Sequence, residues 1–442
     1  MIHSHSARDR EPVRIALTGA NGGYGRTLLA QSRQTPELVP AALVEPDADG
    51  MRRTLAELGL DDTTVVTDGA AMDWRGVDVL VEATGQVAVG TAYAESALDN
   101  GVHVVMVSKE VDTVAGVALA VKAEAAGLRY LPGDGDQPAN LLRLVDWVSA
   151  TGLEIVAIGK SGEYDLVFDP ATGTVTQAGV SIDAPGLADL LELGPDPRTT
   201  VDRRAALVAG LKRSAAADLC EMTVVAMRTG AVPDKEGLHY PVARIAELAD
   251  IYAAREDGGI LGRTGVVDVF SALRLPGEAG FAGGVFAVVR TGDPVTWELL
   301  RGKGHVVSRN GEYACFYWPY HAMGVETPLT IHAAVDGTGV APRPRPSTLL
   351  AARTATALEP GTPFQVTGHH HEINGVEPVM VAPSAGIAPY YLLGGARLGR
   401  AVAAGELVRL DDLDGVAPGP LAAWTASTAS TTSTASRREP GA

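Results

Sequence analysis

Lys109, Lys160, Asp136, Glu221 and His321 are the side chains of this sequence best suited to moving charge in a reaction. Lys109 stands in Ser108-Lys109-Glu110, directly after the apolar run 102–107. A lysine there can hold a carbonyl or phosphate oxygen by charge. Lys160 stands in Gly159-Lys160-Ser161-Gly162-Glu163-Tyr164, after the apolar run 153–159. It would act as an acid, or stabilise an alkoxide as hydride moves. Asp136 belongs to the acidic turn Gly133-Asp134-Gly135-Asp136-Gln137-Pro138, which would orient a substrate hydroxyl or take a divalent cation. Asp218 and Glu221 share one helix face, and Lys212 precedes them; apolar residues after Met222 rank Glu221 above Asp218. His321 ends the aromatic stretch 312–321 and can exchange protons near neutral pH, with Glu326 placed to orient it. Each has an ordinary alternative: a lysine opening a helix, acids at a helix start, a core histidine. The run His369-His370-His371-Glu372 invites a metal reading, but adjacent strand residues point to opposite faces and cannot share one ion. It is expected to lie away from the other candidates.

These groups need elements that aim them at a common point. The first is the stretch Val13 to Leu29, an apolar strand-like run that ends in glycines and gives way to a helix-like run. Gly19, Gly22 and Gly25 are spaced GxxGxxG, with Asn21, Gly23 and Tyr24 between them. Such a turn lets backbone N–H groups approach a pyrophosphate, and the helix N-terminus adds partial positive charge. A second strand ends at Glu45, about 20 residues beyond, where an acid accepts from ribose hydroxyls and repels a 2′-phosphate. Arg52 and Arg53 follow and would suit NADP instead, so the cofactor is read as NAD or NADP, leaning to NAD. A third strand, 77–82, leads into Ala83-Thr84-Gly85, a small-residue turn where a cofactor crosses the sheet edge. A helix-like segment over 93–100 then leads to the strand before Lys109. Strands alternating with helices over residues 13–150 predict a doubly wound parallel sheet.

The bulk numbers narrow the function. The chain has 442 residues, enough for two or three domains, and 46% hydrophobic residues, as in a globular enzyme. A net charge of −17 speaks against nucleic acid and against anionic membranes as partners. Cys220 and Cys315 have no CxxC neighbours, so neither a disulfide framework nor a zinc ribbon is expected. No apolar run has the length of a membrane span, and residues 1–12 lack the apolar core of a secretion signal. The cytoplasm is the default expectation.

Five segments follow along the chain. Residues 1–12 read as a disordered lead and 13–150 as a dinucleotide-binding domain. Residues 151–340 read as an α+β substrate domain, with a long loop over 165–200, one Ala- and Leu-rich helix over 203–228, and strands near 284–290 and 306–316. A Pro-rich break at 341–346 precedes a small β-rich module over 347–416. Residues 417–442, rich in Ala, Ser and Thr, read as a disordered tail.

With these residues assembled, the chain resembles the bacterial oxidoreductases that join a homoserine-dehydrogenase-like body to a C-terminal SAF (β-clip) domain, the group of 1-deoxy-D-xylulose 5-phosphate reductoisomerase-like enzymes. The resemblance rests on Gly135-Asp136-Gln137-Pro138-Ala139, Val145-Asp146-Trp147, Gly159-Lys160, Glu221-Met222, and Tyr317 with Pro319, His321, Gly324 and Glu326. It also rests on Ala351-Ala352-Arg353, Leu358-Glu359-Pro360-Gly361 and Leu398 to Glu406. Ser108-Lys109-Glu110 is similar to the Asn-Lys turn of homoserine dehydrogenases. Ala215-Ala216-Ala217 replaces the family's Gly-Thr-Lys, with Lys212 displaced toward the N-terminus. The resemblance implies a Rossmann-type sheet, a second α+β catalytic domain, a β-clip domain, and a nicotinamide-dependent reaction on a small polar hydroxy- or keto-compound. Lys160 and Lys109 would stabilise oxygen charge, Asp136 and Glu221 would bind hydroxyls or a divalent cation, and His321 would carry protons. Two other readings are a metal-dependent reductoisomerase and a non-catalytic nucleotide-binding regulatory or scaffold protein. A homo-oligomer is expected.

Overall fold

The computed structural model describes residues 11–435 except 62, 339–340 and 385. The expected disordered lead thus lies almost wholly outside the described residues, as does the end of the tail.

Six parallel strands open the chain: β1 (Val13–Thr18), β2 (Leu38–Val44), β3 (Thr64–Val66), β4 (Val79–Glu82), β5 (His103–Met106) and β6 (Tyr130–Pro132). Their order is β3-β2-β1-β4-β5-β6. Helices α1 (Gly23–Ser32), α2 (Ala48–Leu58), α3 (Val87–Asp99), α4 (Lys109–Ala125) and α5 (Gln137–Ala150) run between or after them. Strands β1, β4 and β5 are almost wholly buried because helices cover both faces, which is why they read as continuous apolar runs. The order reverses between β1 and β4. Ligands of open parallel sheets bind outside the carboxyl ends at such a point. Gly19 follows β1 there, and Ala83 follows β4.

The second sheet is mixed. It runs β10 (Val180–Asp183), β9 (Thr174–Gln177), β8 (Leu166–Asp169), Val266–Arg274, β7 (Ile155–Ser161), Val285–Arg290, Tyr313–Trp318 and Val306–Val307. Helix α5 and helix α7 (Ala216–Thr229) pack on one face of it, through Leu141, Leu144, Met222 and Val225. Phe270, Phe286 and Tyr252 fill the other. The fold is therefore the expected doubly wound domain beside a second mixed-sheet domain, followed by small C-terminal β elements.

Three local expectations are corrected. The stretch 165–200 is not a loop. Ala178 (φ 48°) and Gly179 (φ 83°) form a two-residue hairpin turn that pairs β9 with β10. The Ala- and Leu-rich stretch is two helices, α6 (Pro197–Leu207) and α7, because Val208 and Leu211 are buried beside Phe168 and hold the chain in a turn. The tail is helical over Pro418–Ala435 and packs on α3 and α4, with Ala423 and Trp424 buried. Its small side chains permit that close approach.

C-terminal strands Leu349–Thr354 and Val376–Val381 pair antiparallel, and their apolar residues share a core with α5 and α7. Among the described residues no helix is long and apolar enough to cross a membrane.

Candidate active site

The glycine turn is built for backbone approach. Gly19 adopts φ +63°, and a Cβ there would stand 2.4 Å from the Ala83 carbonyl oxygen. A Cβ on Gly25 would stand 2.5 Å from the Ala20 oxygen. Gly22 caps α1 without a side-chain hydrogen bond, and the first turn holds no acid. The Gly23 and Tyr24 N–H groups are therefore unopposed donors at the positive end of a helix, a fit for a pyrophosphate.

The neighbouring candidates brace this turn. Glu45 accepts from the Asn21 N–H at 3.1 Å, and the Asn21 side chain accepts from Thr54 Oγ1 at 2.9 Å. The Tyr24 hydroxyl is committed to the Asp134 carbonyl at 3.0 Å and to Thr327 Oγ1, so it ties α1 to the acidic turn. Burial pushes its pKa up. Arg52 pairs with Asp49 at 2.9 Å on an exposed helix face. In the β4 turn, Gly85 N–H donates to Ser108 Oγ at 2.7 Å and Thr84 N–H to Glu82 at 3.0 Å. Burial raises the Glu82 carboxyl, with hydrogen bonds from Ser108, Thr84 and Thr18 opposing it.

The reacting end is made of charge. Lys109 opens α4, Lys160 lies on β7, and Asp218 and Glu221 share a face of α7. Glu221 accepts from Lys109 through Oε1 and from Lys160 through Oε2. Lys160 Nζ also lies 2.8 Å from Asp218 Oδ1, and Lys109 Nζ lies 3.9 Å from Asp136 Oδ1. Tyr240 donates to the other Asp218 oxygen at 3.3 Å. These five groups, two lysines and three acids, thus converge, although they come from four separate segments. Lys160, Asp218 and Glu221 are sealed, while the Lys109 side chain is 22% exposed. The Lys109 side chain is therefore the more accessible of the two lysines.

The charges shift one another in opposite directions. Burial would raise Glu221, but Lys109 and Lys160 outweigh it and hold the carboxylate low. Burial would lower both lysines, and the surrounding carboxylates keep them protonated. Burial raises Asp218 and Asp136, and the nearby Glu221 charge adds to it, against the lysines they face. Both Glu221 oxygens, expected from the sequence to bind hydroxyls or a cation, are thus engaged by the two lysines. Asp136 has Lys109 as its neighbour, and among the described residues no three His, Cys, Asp or Glu side chains are placed to hold a metal.

His321 packs against Gly283, where a Cβ would lie 2.4 Å from the ring, and its buried Nδ1 has no hydrogen-bond partner among the described residues. Glu326 does not orient it. That carboxylate accepts from Asn140 Nδ2 at 2.7 Å and from the Ala322 N–H at 3.2 Å.

The histidine run is the largest correction. It does not lie apart from the other candidates. His371 Nδ1 meets Glu110 Oε1 at 2.6 Å, His369 meets Glu163 at 3.1 Å, and His370 meets Glu163 at 2.9 Å. Glu372 pairs with Lys212. A cavity of about 340 Å³ touches Glu163, Lys212, Arg213, Asp218 and His370. Another of about 690 Å³ touches Thr84, Gly85, Phe364, His371 and Tyr391. Glu110, Glu163 and Tyr240 were missed as site residues. The two glutamates stand in the lysine motifs, but nothing local points to their partners.

Residues 22–132 match the NAD-binding domain of homoserine dehydrogenase, and residues 201–327 match the catalytic domain of oxidoreductase DRL. The chain thus carries an NAD-binding domain and an oxidoreductase catalytic domain. No curated protein matches it. Among solved structures it is similar to a biliverdin reductase from Synechocystis sp. PCC 6803 bound to biliverdin and NADP+, at 16% identity over 36% of this chain and TM-score 0.26. The chain spans 49% of that protein's length. It is also similar to GenD2 of gentamicin A biosynthesis in complex with NAD, at 17% identity over 77% of this chain and 91% of that one, TM-score 0.36. A dipicolinate-bound dihydrodipicolinate reductase from Paenisporosarcina sp. TG-14 matches at 14% identity over 74% and 95%, TM-score 0.34.

Proposed function

We propose that this protein is an NAD(P)-dependent oxidoreductase acting on a small polar hydroxy- or keto-compound. The observation that carries the reading is the sharing of Glu221 by Lys109 and Lys160. One lysine follows a strand of the nucleotide domain and the other lies on a strand of the second sheet, so one carboxylate joins the cofactor side to the substrate side. A bound nicotinamide supplies a hydride donor or acceptor. The protein's own residues supply the field. Each ammonium has three N–H donors. Glu221 uses one of each, which leaves Lys109 with donors for a carbonyl or alkoxide oxygen. Lys160 sits deeper and holds Glu221 and Asp218 in place. Asp136 stands beside Lys109, and His321 packs against Gly283; these are the groups offered for proton exchange.

Glu45 supports NAD over NADP, since it stands at the end of β2 and braces Asn21, while Arg52 is paired with Asp49. The short C-terminal strands support reading residues 347–416 as an SAF-like module. Tyr320, Met323, Val325 and Leu329 are exposed large apolar side chains close together in sequence, which supports a homo-oligomer, checked by light scattering. The reductoisomerase reading needs a divalent cation, and both oxygens of Glu221 are already engaged by Lys109 and Lys160.

The test is a fluorescence titration with NADH and NADPH, then a screen of polyols, keto acids and sugar phosphates for turnover. Lys109→Ala should keep cofactor binding and lose turnover by about 100-fold or more. Full turnover in that variant would remove Lys109 from the reaction. Binding without turnover on any substrate would favour a regulatory or scaffold role.

A further inference from the structure

The tightest link between the C-terminal module and the site is a single ring. His371 lies in the four-residue turn between strands Val366–Thr367 and Glu372–Ile373, in the left-handed conformation at φ 51°. A non-glycine residue is strained there. Its Nδ1 meets the buried carboxylate of Glu110 at 2.6 Å, one residue from Lys109. Its Cε1 would stand 2.7 Å from a Cβ on Gly85, so the ring also lies against the turn that follows β4. The larger cavity opens beside both. One imidazole therefore touches the turn where the cofactor crosses the sheet edge and the helix that presents Lys109.

We infer that His371 is a positioning residue, through which the C-terminal module holds the Gly85 turn and the start of α4 in register for the dinucleotide. The inference rests on the cofactor reading above. His371 acts through Glu110 and Gly85 rather than on the reacting atoms. The contact has a protonation state. The hydrogen bond to Glu110 raises the His371 pKa, against burial and the Lys109 charge. The groups packed around this contact are Glu110 and Lys109 from α4, Tyr391 from the segment Tyr390–Leu393, Cys220 from α7, and His370 on its own turn. Burial keeps Tyr391 and Cys220 neutral. A raised histidine stabilises its contact below the unfolded value and loses that stabilisation as pH rises through the folded value.

The test uses the full chain and two variants. His371→Asn suits the left-handed backbone and removes the ring; Glu110→Gln removes the partner's charge. NADH and NADPH are titrated between about pH 6 and about pH 9. Amide hydrogen exchange is followed over residues 83–88 in cofactor-free protein. Wild-type affinity should fall about fivefold across that range. Both variants should show weak, flat profiles and faster exchange at Gly85. Variants that keep the wild-type affinity, profile and exchange would overturn the inference. Should the wild type bind neither dinucleotide, the cofactor reading fails on its own; unchanged exchange at Gly85 in the variants would then reject the positioning role, and faster exchange would retain it.

Discussion

The two ends of this site are made from different materials. The cofactor end is backbone: Gly19, Gly22 and Gly25 bring N–H groups to an uncapped helix start, and side chains such as Asn21 and Tyr24 serve as braces. The reacting end is side-chain charge: Lys109, Lys160, Asp136, Asp218 and Glu221 meet where water is largely excluded. The first end should be sensitive to added volume and indifferent to charge. The second should be sensitive to a lost charge even where volume is kept. On the proposed function, ligand shape would be set by one end and reaction chemistry by the other.

The largest expected effect breaks the charged end. Glu221→Ala leaves the sealed Lys160 ammonium short of a partner and should destabilise the fold by about 3–5 kcal/mol, read by urea unfolding. Next comes the backbone end. Gly19→Ala meets both a positive φ and the Ala83 oxygen, and should destabilise by about 1–3 kcal/mol while abolishing dinucleotide binding.

A pH series sharpens the contrast within the charged end itself. Glu221 is held below its ordinary value of 4.5, so its contribution is present above that value and lost as pH falls through the lowered one. Asp218 is raised above its ordinary 3.8, so its contribution is present below that value and lost as pH rises through the raised one. Relative to wild type, Glu221→Gln should therefore lose stability on going from acid to neutral pH, and Asp218→Asn should gain. Unfolding free energies that move in the same direction for both variants would contradict this assignment. The smallest effect belongs to Arg52→Ala. Its exposed pair with Asp49 should contribute no more than about 0.5 kcal/mol, and NADH affinity should not change.

How much of this was legible follows the same division. The glycine turn and the β4 turn could be read because backbone approach is a local pattern, with strand, turn and helix contiguous in sequence. Lys109 and Lys160 could be read singly, since each follows an apolar run. That both would close on Glu221 could not, because helix periodicity places Glu221 on a face without saying what that face meets. The place of the histidine run is hidden for the same reason: Glu110 and Glu163 lie in distant segments, and packing of the C-terminal strands on α7 brings them near. The hairpin at Ala178-Gly179 carried a signal, β-branched residues on both sides of a two-residue turn, that the surrounding Gly, Pro and Asp obscured. In the tail helix, composition was a poor guide, because Trp424 and small neighbours suffice to dock one face.

The central claim is that one site pairs a backbone cradle for a dinucleotide with a lysine pair that acts on substrate. Calorimetric titration of NADH and NADPH into the wild type, Gly19→Ala and Lys109→Ala tests it most directly. The account predicts binding by the wild type and by Lys109→Ala within about threefold of each other, and none by Gly19→Ala. A folded wild type that takes up neither dinucleotide, or a Gly19→Ala protein that binds as tightly as wild type, would contradict it.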